Sequence, residues 1–262
     1  MNRFKYFIAV ISVFFASAVF AETDRTVEPA DTAAVKDTVP SPDTDKLTPV
    51  KKVKANHLDL VLVLDQSGSM NGLEGDTIGG FNSMIKKQKE NKVDTRVTTV
   101  LFNDRYSVLY DGIKLDDVPE MTKKDYVTSG MTALLDAIGL TITRIDAVKD
   151  VNAADHKVIF VIITDGMENY SKEYKKSQIK EMISTRQEKF GWDFLFLGAN
   201  IDAVGEAESL GISSSNAVKY KNTAKGVHAN YEAVADFAGE ALAEPDAAAR
   251  SNSWKDKVEQ DK

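Results

Sequence analysis

Cysteine is absent from the 262-residue chain, tryptophan occurs twice and proline six times. Without cysteine there is no disulfide framework, no thiolate zinc site, no cysteine nucleophile and no lipidated N-terminal cysteine. Positive charge is also short, since 33 basic residues face 40 acidic ones and leave a formal net charge of −7. Phosphate binding needs clustered positive charge, so a principal role in holding nucleic acid is excluded. No apolar stretch reaches the ~20 residues of a comfortable membrane span. What is present, 43% hydrophobic and 28% charged residues, is globular composition and excludes wholesale disorder.

The chain divides by composition. Residues 1–21 carry Arg3 and Lys5, then an almost wholly apolar stretch from Tyr6 to Phe20, then small residues before a break after Ala21. That is the pattern of a secretory signal peptide, with an uncleaved signal anchor as its rival. Cleavage implies a secreted or periplasmic protein with no membrane insertion afterwards. It removes two positive charges and no negative ones, so the mature chain is more acidic still. Residues 22–56 hold Pro29, Pro40, Pro42 and Pro49 among Thr and Asp, with few large apolar side chains. Such a segment cannot offset its ordering entropy and is expected to be a disordered tether. Residues 57–243 form the expected domain, and 244–262 a charged tail, expected to fray, with Trp254 its one bulky residue.

Within 57–243, strand and helix signals alternate. Leu58–Leu64 is an apolar run of the kind buried on both faces of a parallel sheet. Ile78, Phe81, Met84 and Ile85 recur at helical spacing. Val97–Phe102 and Tyr106–Tyr110 flank the turn Asn103-Asp104-Arg105, which makes the second strand antiparallel to the first. Leu134, Leu135, Ile138, Ile142 and Ile145 mark an amphipathic helix, and Val158–Ile163 is the most apolar strand. Ile179, Met182, Ile183 and Arg186 suggest the next helix, and Phe194–Leu197 the next strand. A short helix at Ala203–Leu210, a weak strand at Ala217–Tyr220 and a helix through Val227–Leu242 complete the series. The alternation predicts an α/β domain, a doubly wound sheet with helices on both faces.

Three polar segments sit at the ends of these elements. Asp65-Gln66-Ser67-Gly68-Ser69 follows the first strand, Ser129-Gly130-Met131-Thr132 opens the long helix, and Thr164-Asp165-Gly166 follows the central strand. Ligands of open α/β sheets bind outside the carboxyl ends of the strands, where strand order reverses. A first strand beside the central one brings Asp65 and Asp165 together there. Two carboxylates with the hydroxyls of Ser67, Ser69 and Thr132, and no imidazole or sulfur, suit a hard divalent cation: Mg²⁺ first, Mn²⁺ or Ca²⁺ next. With only two formal charges facing it, the cation keeps an open position for a carboxylate from another molecule. Gly68 is expected to supply the tight turn between the serines.

An apolar strand ending in Asp-x-Ser-x-Ser, a Gly-x-Thr opening a helix and an apolar strand ending in Thr-Asp-Gly together resemble the von Willebrand factor type A (VWA) family with its metal-ion-dependent adhesion site (MIDAS). The resemblance covers residues 57–243. It implies a three-layer, Rossmann-like sheet, mostly parallel with one antiparallel edge strand. It also implies metal ligation by Asp65, Ser67, Ser69, Thr132 and Asp165, and a cation-dependent, adhesion-type protein-binding module rather than an enzyme. The implied partner is a protein that supplies an acidic residue. Asn103, Asp104, Glu168, Asn169, Asn200 and Asp202, near other strand ends, are candidates for a partner-binding rim.

Two other readings compete. A scaffold or assembly subunit of an envelope complex would use the same domain. A metal-dependent phosphoryl-transfer hydrolase with Asp65 as nucleophile would need a second carboxylate two residues later, and Ser67 stands there instead.

Overall fold

The structure, a computed structural model, describes residues 54–90 and 92–259. The expected signal peptide and all but the last three residues of the expected tether lie outside the described residues.

Six strands form one sheet: β1 (His57–Asp65), β2 (Asp94–Phe102), β3 (Tyr106–Lys114), β4 (His156–Thr164), β5 (Asp193–Ala199) and β6 (Ala217–Tyr220). Their order is β3-β2-β1-β4-β5-β6, and every pairing is parallel except β2 with β3. The antiparallel strand is therefore at an edge, because the Asn103-Asp104-Arg105 turn returns the chain directly alongside β2. Chain order reverses between β1 and β4, so the crevice between their carboxyl ends is the switch point of the sheet.

Helices α1 (Glu74–Gln88), α2 (Leu134–Asp146), α3 (Lys176–Phe190), α4 (Ala203–Ser209) and α5 (Ala224–Ala243) cover both faces. Side chains of a strand alternate between faces, and β1 shows the result. Leu58, Leu60, Leu62 and Leu64 pack with α1 and α5, including Phe81, Met84, Tyr231 and Phe237. Val61 and Val63 pack on the other side with Leu134, Ile138, Ile142, Ile179 and Ile183 of α2 and α3. Both faces being covered, β1 and β4 are apolar throughout rather than alternating.

The C-terminal segment is packed, not frayed. Trp254 is buried with its ring edge-on to Phe237, centroids 5.5 Å apart. Beyond it, Val258 in α6 (Asp256–Glu259) is buried too. Arg250 reaches the amino end of the sheet, where its Nη1 lies 2.8 Å from Asp193 Oδ2, and Lys157 Nζ lies 2.7 Å from the same oxygen. All three side chains are buried. One carboxylate between two cations satisfies charges that solvent does not reach, and it ties Arg250 to β4 and β5. Single basic and aromatic residues in a polar tail have no periodicity, so their partners become visible only once the sheet is assembled.

Candidate metal centre at the carboxyl edge of the sheet

Asp65 is the last residue of β1 and is buried. Its Oδ1 accepts the Ser67 backbone N–H at 2.7 Å, and its Oδ2 accepts the Thr164 hydroxyl at 2.6 Å. The Ser67 and Ser69 hydroxyls are 3.0 Å apart, and Ser69 Oγ donates to Asp165 Oδ1 at 2.5 Å. The other oxygen of Asp165 accepts from Asn222 Nδ2 at 3.0 Å. Asp65, Ser67, Ser69 and Asp165 thus share one hydrogen-bonded array.

Thr132 joins them from the third loop. A Cβ added at Gly166 would stand 3.0 Å from Thr132 Oγ1 and 3.4 Å from Ser69 Oγ, so both hydroxyls face the space above Gly166. That loop is stapled to the first. Ser129 N donates to Gln66 O at 2.9 Å, and Gly68 N donates to Gly130 O at 3.1 Å. It is also fastened to the loop after β4, where Thr132 N donates to Asn169 Oδ1 at 2.9 Å and Asn169 N donates to Thr132 O at 3.0 Å. The five residues read from the sequence as ligands are brought together from three chain segments.

Gly68 is not the conformational pivot expected of it. Its φ is not positive, whereas Gly130 has φ 77°. A Cβ at Gly130 would also lie 2.0 Å from Asp104 Oδ1. The left-handed backbone favours glycine there, and a Cβ would also displace the Asp104 carboxylate.

Four of the six candidate rim residues, Asn103, Glu168, Asn169 and Asp202, have internal work. Glu168 Oε2 accepts the Leu135 N–H at the start of α2, while its Oε1 accepts those of Tyr170 and Ser171. Asn103 Nδ2 donates to Ser129 O at 2.9 Å, and its Oδ1 accepts from Arg105 N. Asp202 caps α4 by accepting from Gly205 N. Asn200, with φ 55°, and Asp104 are exposed at the carboxyl ends of β5 and β2.

Three contributors were not singled out from sequence: Thr164, Asn222 and Tyr126. Tyr126 is buried and its hydroxyl donates to the Asp65 carbonyl oxygen. The Thr164-Asp165-Gly166 triplet contained a signal for Thr164, a hydroxyl at the end of a buried strand. Nothing in the sequence around Asn222 links it to a residue 57 positions away.

Burial pushes the Asp65 carboxyl up to about 6, against the lowering effect of its bonds from Thr164 and Ser67. Burial raises Asp165 as well, opposed by Ser69 and Asn222. Among the described residues no basic side chain contributes to holding either carboxylate in its charged form. Two buried carboxylates lacking a counter-charge, ringed by hydroxyl oxygens, form a donor set that fits a hard cation, whose charge would offset the burial cost. Among the described residues no cluster of three or more His, Cys, Asp or Glu side chains offers a metal site. His57 pairs with Asp94 at the amino edge, and His228 is beside Glu232 on α5.

No protein-family model and no curated protein matches the chain. Solved structures do. The pilus adhesin SpaC from Lactobacillus rhamnosus GG, in an open conformation, superposes with a TM-score of 0.55 at 13% identity, covering 72% of this chain and 31% of the adhesin. Proximal thread matrix protein 1 from the mussel byssus, with a zinc-occupied MIDAS motif, gives 0.49 at 16% identity over 70% of this chain and 46% of that one. A von Willebrand factor type A protein from Catenulispora acidiphila gives 0.49 at 12% identity over 72% and 43%. The chain spans less than half the length of each. In fold the described domain is of the VWA type, a mostly parallel six-stranded sheet with one antiparallel edge strand and helices on both faces.

Proposed function

We propose that the protein is an exported, non-enzymatic binding module whose carboxyl-edge site holds Mg²⁺ and captures a protein partner through an acidic residue. The observation that carries this reading is the convergence of Asp65, Ser67, Ser69, Thr132 and Asp165 on one array with two buried, uncompensated carboxylates. Mn²⁺ and Ca²⁺ are the alternatives that an all-oxygen site admits.

When bound, the cation supplies an electrophilic position at which a partner carboxylate is held. The chain's own residues do the rest. Asp65 and Asp165 provide the negative charge. Ser67, Ser69 and Thr132 provide neutral oxygens that leave the charge incompletely balanced. Thr164 and Asn222 fix the two carboxylates through their second oxygens. Ser67 lies where a hydrolase of the Asp-x-Asp kind would need its acid and base, which supports binding over turnover. The apolar stretch at residues 6–20 behind Arg3 and Lys5 supports export. Among the described residues no helix is long and apolar enough to cross a membrane.

The test is calorimetric titration of the purified domain with Mg²⁺ and Mn²⁺, followed by pull-down from envelope or extracellular material with Mg²⁺ or with EDTA. The expected result is saturable binding by the wild type, lost in Asp65→Ala and Thr132→Ala with the fold retained, and a partner released by EDTA. Cation binding that survived Asp65→Ala would sink the assignment.

A further inference from the structure

The domain leaves few large apolar side chains in water, and they are not scattered. Among the described residues they are Val127, Met131, Met167, Tyr170 and Val204, with relative exposures of 58%, 47%, 73%, 38% and 38%. Every one belongs to a segment at the carboxyl edge of the sheet. Val127 and Met131 lie in the loop that delivers Thr132, and Met167 and Tyr170 in the loop that follows Asp165. Val204 is in the first turn of α4, just after β5. Isolated exposed apolar residues need no explanation, but their confinement to one edge does.

The placement relative to the site is close. Met131 is the neighbour of Thr132, and Met167 is two residues beyond Asp165. The loops that carry them are fastened to one another by the paired bonds between Thr132 and Asn169. Other loop methionines are hidden. Met70, in the Ser69 loop, is buried, and so is Met121. The two exposed methionines are therefore kept out of the core while others of the same type are used inside it. Methionine side chains are flexible and polarizable, and they adapt to partners of varied shape.

We infer, building on the cation-site reading, that Val127, Met131, Met167 and Tyr170 form an apolar collar around the site, and that it recognises a protein segment in which a Glu or Asp is flanked by apolar side chains. The collar supplies no charge of its own next to the cation position. At its outer end Lys172 lies over the Tyr170 ring at 4.3 Å from the centroid. Its surface is thus matched to a partner that brings one carboxylate and otherwise apolar contact, the arrangement of a binding hot spot inside a polar rim.

The test uses the full domain and a displayed peptide library with one fixed central Glu and randomised flanking positions, selected in Mg²⁺. Wild type, the double variant Met131→Ser/Met167→Ser, and Asp65→Ala are compared. Mn²⁺ affinity is measured by calorimetry on each, and thermal melting confirms the fold. The inference expects enrichment of Leu, Ile, Val, Phe or Met within three positions of the Glu. It also expects the double variant to bind the selected peptides at least about ten-fold more weakly, some 1.4 kcal/mol, with Mn²⁺ affinity unchanged. Selection of acidic peptides with polar flanks, equal peptide affinity in the double variant, or no enrichment at all would overturn it while leaving the cation site standing. Failure of the wild type to bind Mn²⁺ would instead overturn the cation-site reading and, with it, the acidic half of the inferred ligand.

Discussion

The side-chain amide of Asn222 donates to Asp165 Oδ2 at 3.0 Å, while Asn222 Oδ1 is buried with no partner. Asn222 stands one residue before Thr223, the N-cap of α5. The segment between β6 and α5 therefore holds a carboxylate that directly follows β4.

Replacing Asn222 by Ala leaves one oxygen of Asp165 unheld. Groups that orient metal ligands typically contribute a factor of about 10 to 100 in metal affinity. Asn222→Ala is expected to weaken Mn²⁺ binding by that order, read by calorimetry, with the melting temperature of the cation-free protein little changed.

Glu168 accepts three backbone N–H groups, those of Leu135, Tyr170 and Ser171, as well as the Ser171 hydroxyl. Glu168→Ala removes the acceptor at the start of α2 and is expected to cost about 1–2 kcal/mol. Urea unfolding measures that cost. Weaker Mn²⁺ binding should accompany it, because the same loop fixes Thr132 through Asn169.

The buried charges at the opposite edge make a ranked prediction. Asp193→Ala leaves Lys157 and Arg250 buried together without their anion and is expected to cost about 3–5 kcal/mol. Arg250→Ala leaves the Lys157–Asp193 pair intact and should cost less. Burial already lowers the Lys157 ammonium, with Asp193 acting against it. Equal destabilisation by the two variants, in urea melts, would falsify the description of Asp193 as the shared partner.

Adjacent glycines in α1 are expected to respond oppositely. A Cβ at Gly80 would stand 2.4 Å from Cδ2 of the Tyr231 ring on α5, whereas one at Gly79 would meet nothing within 4 Å. Gly80→Ala forces the two helices apart and is expected to cost about 1–3 kcal/mol. Gly79→Ala is expected to stabilise by roughly 0.5–1 kcal/mol, through its effect on helix entropy. Paired thermal melts check both.

Most of the sheet was legible because buried parallel strands are written as apolar runs and the helices as apolar stripes. Val158–Ile163 and Leu58–Leu64 are central strands for that reason. The antiparallel edge strand followed from the three-residue turn at Asn103. The residues proposed as ligands could be singled out because they end or follow a strand or precede a helix. Their supporting bonds were not legible: Asn222 to Asp165 and Tyr126 to the Asp65 carbonyl are long-range pairings with no local pattern. The same holds for Arg250 and Trp254, which look like tail residues until Asp193 and Phe237 are in place. Glu168 and Asn169 were noticed as polar loop residues near the site, but a loop residue that caps a helix and one that greets a partner have the same composition.

The Lys157–Asp193–Arg250 cluster also fixes the polarity of the module. The chain enters the sheet at His57, on the amino edge, and Arg250 is clasped at that same edge. The strands between the two edges run for up to nine residues, a height of about 30 Å. The chain enters at one pole, and Asp65 and Asp165 occupy the other. A pull applied between a partner held at the proposed site and the segment that precedes His57 would therefore run lengthwise along the strands, shearing their hydrogen bonds together rather than peeling them apart one at a time.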